Sequence, residues 1–349
     1  MIQDSFLKSF RETKSPFITN PYRHVSGAVG GWVELGRTTW ASGNSINVSS
    51  LPDKRYYMIL NYSDSASNYN NIYRFNSDTG SNYAWRRSLN GGTDGTSTST
   101  TVIPSNSVQT DEFQFTTSYI ANLAGKEKLV INHGTDASAV GSGTAPDRNE
   151  IVGKWTNTTD SIDEITMTTA SANYNLGEVV VLGWDPADTH TTNFWEELAS
   201  VSGDGSSATL DSGTITAKKY LWVQCFTDPS LNSTPQWRVN ADSGSNYSER
   251  LSTDGGADGT NTSVSIFNIG NTTATPSFSN TFIINNSANE KLFINNWVGV
   301  NTAGAGTAPM RRESTTKWAN TSSQITSLQN VLPAGVHNSN SLMKVYGSN

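Results

Sequence analysis

Asp78-Thr-Gly-Ser-Asn-Tyr83 returns as Asp242-Ser-Gly-Ser-Asn-Tyr247. Gly141-Ser-Gly-Thr-Ala-Pro-Asp-Arg-Asn-Glu-Ile-Val-Gly-Lys-Trp155 returns in the stretch ending at Trp318, with Gly306-Thr-Ala-Pro309, Arg311, Glu313 and Lys317-Trp318 at matching places. Working outward, Trp32-Val-Glu-Leu35 matches Trp195-Glu-Glu-Leu198 at nearly the same offset. One folding unit has therefore been doubled in tandem. A residue kept in both copies serves the fold or a task performed twice, whereas a residue present in one copy is not required by the fold.

The chain has 349 residues, which the repeat divides into two modules of roughly 155 residues. At that size about 68–70% of the unfolded surface is buried on folding, so neither a disulfide nor a metal is needed as a staple. The single cysteine, Cys225, takes the place of Asn61 in the first copy and reads as a thiol without a role. Charged residues make up 15% of the chain and the net charge is −7, an acidic balance that argues against wrapping nucleic acid. No apolar run is long enough to cross a bilayer as a helix. Met1-Ile-Gln-Asp-Ser-Phe6 lacks the basic and hydrophobic regions of a secretory signal, so the expectation is either that this is the mature start or that the protein leaves the cell by another route, such as inside an assembling particle.

Residues 1–24 have no counterpart in the second half and read as an N-terminal arm, whose Phe6, Phe10, Phe17 and Tyr22 are costly to leave in water and are expected to dock, on another subunit if not on this one. The first module is expected over 25–184, a short polar linker over 185–193 and the second module over 194–349. Runs such as Tyr56-Tyr-Met-Ile-Leu-Asn-Tyr62, Glu178-Val-Val-Val-Leu182 and Lys291-Leu-Phe-Ile294, separated by Gly, Asn, Asp and Ser clusters, predict strands throughout. Eight to ten strands per copy imply an all-β chain of two tandem antiparallel β-sandwich domains, jelly-roll-like, preceded by the arm.

Catalytic signals are sparse. The four histidines are scattered, which speaks against a zinc site or a Cys/His nucleophile. Carboxylates kept in both copies, Glu34/Glu197, Glu127/Glu290 and Glu150/Glu313, could supply the pair a glycosidase needs, but Lys128, Lys291, Arg148 and Arg311 stand close enough in sequence to favour ion pairing. The chain is therefore expected not to be an enzyme. The loops around Asp78, Asp94, Asp242 and Asp258 offer oxygen donors for calcium, while their Asp-Gly and Gly-Gly steps are also what tight hairpins demand. No cofactor is expected beyond that weak calcium candidate. Trp32/Trp195 and Trp155/Trp318 are matched and read as core anchors. Trp85 and Trp297 face Glu249 and Gly134 in the other copy, so they are expected near the surface, where they could hold a glycan or plug an interface.

The stretch from Gly141 to Trp155 and its copy ending at Lys317-Trp318 resemble uncharacterised repeat proteins encoded by tailed viruses of marine microbes. The resemblance covers both modules and implies a virion structural protein with jelly-roll modules, in the capsid, in a decoration or in the tail. Its partners would be copies of itself and other virion proteins, with a host surface glycan as a further candidate, and neither nucleic acid nor membrane. It implies a place on the exterior of the particle. The alternative is a secreted or surface lectin-like protein that holds carbohydrate through Trp85, Trp297 or the Asp/Gly loops.

Overall fold

The computed structural model describes residues 31–349, apart from 66, 68, 111, 170, 171, 187 and 189–191, and at 107–110 the backbone alone. The arm with Phe6, Phe10, Phe17 and Tyr22 lies outside the described residues. The first copy forms β1 (Val33–Thr39), β2 (Ser45–Val48), β3 (Tyr56–Ser65), β4 (Tyr69–Phe75), β5 (Tyr83–Leu89), β6 (Gly95–Thr100), β7 (Ile103–Thr110), β8 (Gln114–Ala121), β9 (Lys128–Asp136), β10 (Asp147–Trp155), β11 (Ile165–Thr169) and β12 (Tyr174–Trp184). The second forms β13 (Glu196–Ser202), β14 (Thr209–Asp211), β15 (Tyr220–Thr227), β16 (Gln236–Val239), β17 (Tyr247–Thr253), β18 (Gly259–Val264), β19 (Phe267–Asn268), β20 (Ser277–Ile284), β21 (Lys291–Gly299), β22 (Met310–Trp318), β23 (Leu328–Val331) and β24 (Leu342–Ser348).

Each copy is a sandwich of an eight-stranded and a four-stranded antiparallel sheet. The large sheet of the first runs β1-β12-β3-β8-β9-β10-β5-β6 and the small one β2-β11-β4-β7. The second copy repeats both orders, as β13-β24-β15-β20-β21-β22-β17-β18 and β14-β23-β16-β19. Twelve strands per module exceed the eight to ten expected and the eight of a jelly roll. The strands missed in the sequence include β6, Gly-Thr-Ser-Thr-Ser-Thr, a partly exposed edge strand with no apolar face to betray it.

Between the two sheets of the first module lie Tyr57, Ile59, Tyr73, Phe75, Ile151, Trp155, Met167 and Val179 among others. The second module packs Leu221, Val223, Trp237, Phe293, Trp318 and Val345 in the same way. A third apolar cluster joins the modules. Met58, Leu60, Tyr62, Phe115, Val180 and Leu182 from the outer face of one large sheet meet Tyr220, Phe282, Ile284, Leu292, Ile294 and Tyr346 from the other. The described chain is therefore four β layers deep, small sheet, large, large, small. This explains the unbroken apolar runs: on β3, Tyr57 and Ile59 face the module core while Met58 and Leu60 face the other module, so both sides of the strand are dry.

Equivalent residues touch across this junction. Tyr119 and Phe282 hold the same place on β8 and β20, opposite Met58 and Trp222, and their rings pack edge to face at 6.4 Å. The large sheets are thus related by something close to a half-turn that crosses the strands near these residues. The symmetry is incomplete. Leu292 and Ile294 are 0% and 3% exposed, whereas their counterparts Leu129 and Ile131 are 56% and 52% exposed. Likewise Tyr62 and Phe115 are buried, while their counterparts Phe226 and Phe278 are exposed. The sheets close on one side of the half-turn and part on the other.

Candidate functional site

The repeated Asp-x-Gly-Ser-Asn-Tyr loops are anchors of the fold. Asp78 accepts from the Trp155 indole at 2.7 Å, from Asn82 Nδ2 at 2.9 Å and from the Gly80 amide at 2.8 Å. Asp242 repeats the set with Trp318, Asn246 and Gly244 at 2.7, 2.9 and 2.8 Å. Burial opposes the charge of Asp78, but these donors outweigh it and hold the carboxyl below the usual carboxylate range. Asp78→Ala and Asp242→Ala each strand a buried indole N–H, so each is expected to cost about 1–3 kcal/mol in urea denaturation, equally in calcium and in chelator. The hairpins that follow turn through Asn90-Gly91 and Asp254-Gly255, all four at positive φ between 51° and 75°, the backbone that such pairs adopt cheaply.

The other two aspartates named as calcium candidates part company. Asp94 pairs with Arg86 at 3.1 Å on the open surface. Its counterpart Asp258, whose side chain is 2% exposed, receives the Arg148 guanidinium at 2.6 and 3.3 Å from across the module boundary. Among the described residues no group of three or more His, Cys, Asp or Glu side chains is disposed to hold a metal ion.

Of the duplicated glutamates, Glu150 and Glu313 pair with Arg148 and Arg311 as their sequence neighbours suggest, whereas Glu127 and Glu290 do not pair with Lys128 and Lys291. Glu127 bonds Lys154 at 2.9 Å, and Glu290 accepts from the Gly141 amide at 2.6 Å and lies 3.6 Å from Lys317. The physical reason is strand alternation: consecutive residues point to opposite faces, so Lys128 and Lys291 turn inward and donate to backbone carbonyls of Lys126 and Asn289. Glu313 lies 3.5 Å from Arg311 on its own strand. Arg148 bonds Glu150 as expected and also reaches Glu313 of the other module at 3.4 Å, and burial and the adjoining Glu150 carboxyl push Glu313 up. A second polar knot, not foreseen in the sequence, sits on buried Glu178, which takes the Tyr220 hydroxyl at 2.8 Å and Lys219 at 3.0 Å.

Trp297 is a correction. It is 3% exposed and offers no face to a glycan or a partner. Its counterpart Gly134 is small, but the neighbours change too: Gly270 and Gly299 stand where the first copy has Asn106 and Asp136, and a Cβ at either would fall within 2.5 Å of the indole. A volume swap across three positions therefore mimics the tolerance of a surface site. Trp85 is half-buried, with the Arg87 guanidinium 5.1 Å from its ring centre. Glu249 at the same place in the second copy is fully buried and accepts from Asn261 and Asn268, so this position too is internal there. Cys225 is packed, and burial pushes its thiol up to about 12.

The feature missed in the sequence is an apolar groove of about 420 Å³ where the sheets part. It is lined by Trp32, Tyr56, Tyr119, Leu129, Ile131 and Trp184, with Tyr56 and Trp184 stacked at 5.5 Å. Alternating strand periodicity cannot reveal it, because these side chains look like ordinary members of a buried face.

No protein-family model matches the chain, and no curated protein matches it. Solved structures give only faint likenesses. Neisserial surface protein A aligns at 8% identity over 80% of this chain and 99% of its own, with a TM-score of 0.11. Ail, the attachment invasion locus protein of Yersinia pestis, aligns at 3% identity over 80% and 99%, with a TM-score of 0.13. A structure of infectious bursal disease virus, Gt strain, aligns at 12% identity over 90% and 81%, with a TM-score of 0.14. None carries an argument about fold or function. Among the described residues no helix is long and apolar enough to cross a membrane.

Proposed function

We propose that the chain is a non-enzymatic structural subunit of a virus particle, exposed on its exterior and built to assemble with copies of itself. The observation that carries the reading is the use made of the repeated residues. Asp78/Asp242 and Trp155/Trp318 tie loops to cores, and Arg148, Glu150 and Glu313 join the modules, so what both copies retain serves rigidity. The likeness of the Gly141–Trp155 repeat to proteins of tailed viruses supports the virion assignment. Exposed Phe226, Phe278, Val298 and Leu231 on the second module supply apolar surface suited to a neighbouring subunit. Sedimentation of the full chain across the micromolar range, with mass spectrometry of purified particles, tests the reading. Concentration-dependent oligomers and presence in particles are expected; a strict monomer absent from particles would end it.

Carbohydrate binding is the second reading, favoured by the stacked Tyr56 and Trp184 rings, which are the right shape to carry a sugar. Glycan-array binding abolished by Trp184→Ala would place it first.

A further inference from the structure

We propose that the groove on the outer face of the first module is the seat of the chain's own N-terminal segment, residues 1–30. This goes beyond the assembly reading and holds whether or not the chain oligomerises. The groove is one half of a face that has nearly the symmetry of a half-turn. Where the second module presents the same positions, Leu292 and Ile294, the first module covers them; Leu129 and Ile131 have no such cover from the described residues. An apolar occupant completes the face.

The chain enters at that spot. Trp32 lines the groove and follows residue 30 by two positions, so a segment tethered there sees the groove at an effective concentration in the millimolar range. Its length is ample. Thirty residues reach up to about 100 Å when extended, while the path across β12, β3, β8 and β9 spans three strand spacings, about 15 Å. Its composition suits the seat, with Ile2, Phe6, Leu7, Phe10, Phe17 and Tyr22 to bury. Its charge suits the body: residues 1–30 carry four Lys or Arg against two Asp or Glu, in a chain whose total is −7. The proposal also explains why this segment was not duplicated, since the first module itself covers the equivalent face of the second.

The test uses the full chain with the photo-crosslinker benzoylphenylalanine at position 6 or 10, prepared as an equal mixture of ¹⁴N- and ¹⁵N-labelled protein. Crosslinks to peptides containing Tyr119, Leu129, Ile131 or Trp184, within chains of one label, are expected. Leu129→Asp combined with Ile131→Asp should lower their yield at least tenfold while leaving the thermal transition in place, both side chains being exposed in the described structure. Crosslinks to other peptides, none at all, or crosslinks only between differently labelled chains would overturn the seating. Sedimentation of the same sample reports on assembly separately, so a monomer with same-label crosslinks refutes the subunit reading and leaves this one standing.

Discussion

Arg148→Ala is expected to lower the free energy of unfolding by about 3–5 kcal/mol, the cost of leaving a buried carboxylate without its cation. The Asp258 side chain, 2% exposed, bonds two nitrogens of the Arg148 guanidinium, and Glu150 and Glu313 share the same cation. Urea denaturation should show the loss nearly unchanged by salt, because ions screen buried pairs poorly. The duplication supplies the control. Asp94 stands where Asp258 stands, yet its partner Arg86 and it are both largely exposed, so Asp94→Ala should cost about 0–1 kcal/mol and less at high salt. Arg148→Met with Asp258→Leu should recover the Asp258 share of the loss, while the share due to Glu150 and Glu313 persists. An Arg148→Ala protein as stable as the parent would show that the Arg148 cluster adds nothing to the hold between the modules.

Stability should fall as pH rises from about 4 to about 8, and Asp136 should carry much of the fall. Burial, with Asp147 nearby, pushes the Asp136 carboxyl up to about 8, against the opposing Ser138 amide, Asn106 and Lys317. The native state therefore keeps a proton that the unfolded chain releases near pH 4. Between those values the native state binds more protons, so unfolding becomes easier as pH increases, and the effect is complete above about pH 8. At about 1.4 kcal/mol per pH unit the upper limit is about 6 kcal/mol. Asp136→Asn keeps the shape and removes the titration. It should be more stable than the parent at pH 9 and similar to it at pH 4–5, as read from melting temperatures. Identical pH profiles for the two proteins would show that Asp136 is charged in the native state. Gly299 occupies the same place in the second copy, so this liability belongs to the first module alone.

The sandwich class was legible because strands buried on one or both faces declare themselves through branched and aromatic runs, as Tyr56–Tyr62 and Glu178–Leu182 do. The loop anchors were legible as repeated motifs, although calcium and hairpin geometry competed for the same residues until Trp155 and Trp318 were seen to donate to Asp78 and Asp242. Pairing of the two large sheets was not legible, since an unbroken apolar run says that both faces are dry and not what dries them. Trp297 misled because comparison of single positions cannot register that Gly270 and Gly299 cleared space for it. Arg148 was assigned to Glu150, its near neighbour in sequence, and the partner that buries it, Asp258, lies 110 positions away.

The meeting of Tyr119 with Phe282 bears on how such a protein arose. A face whose equivalent residues touch is nearly its own complement, so a solitary ancestral module would have found relief for Met58, Leu60 and Tyr62 by binding an identical twin. Joining two such modules in one chain makes that pairing permanent. Once joined, the twins were free to drift apart, and the divergence of Asp94 from Asp258 and of Gly134 from Trp297 records the loss of a symmetry that a dimer of identical chains would have had to preserve.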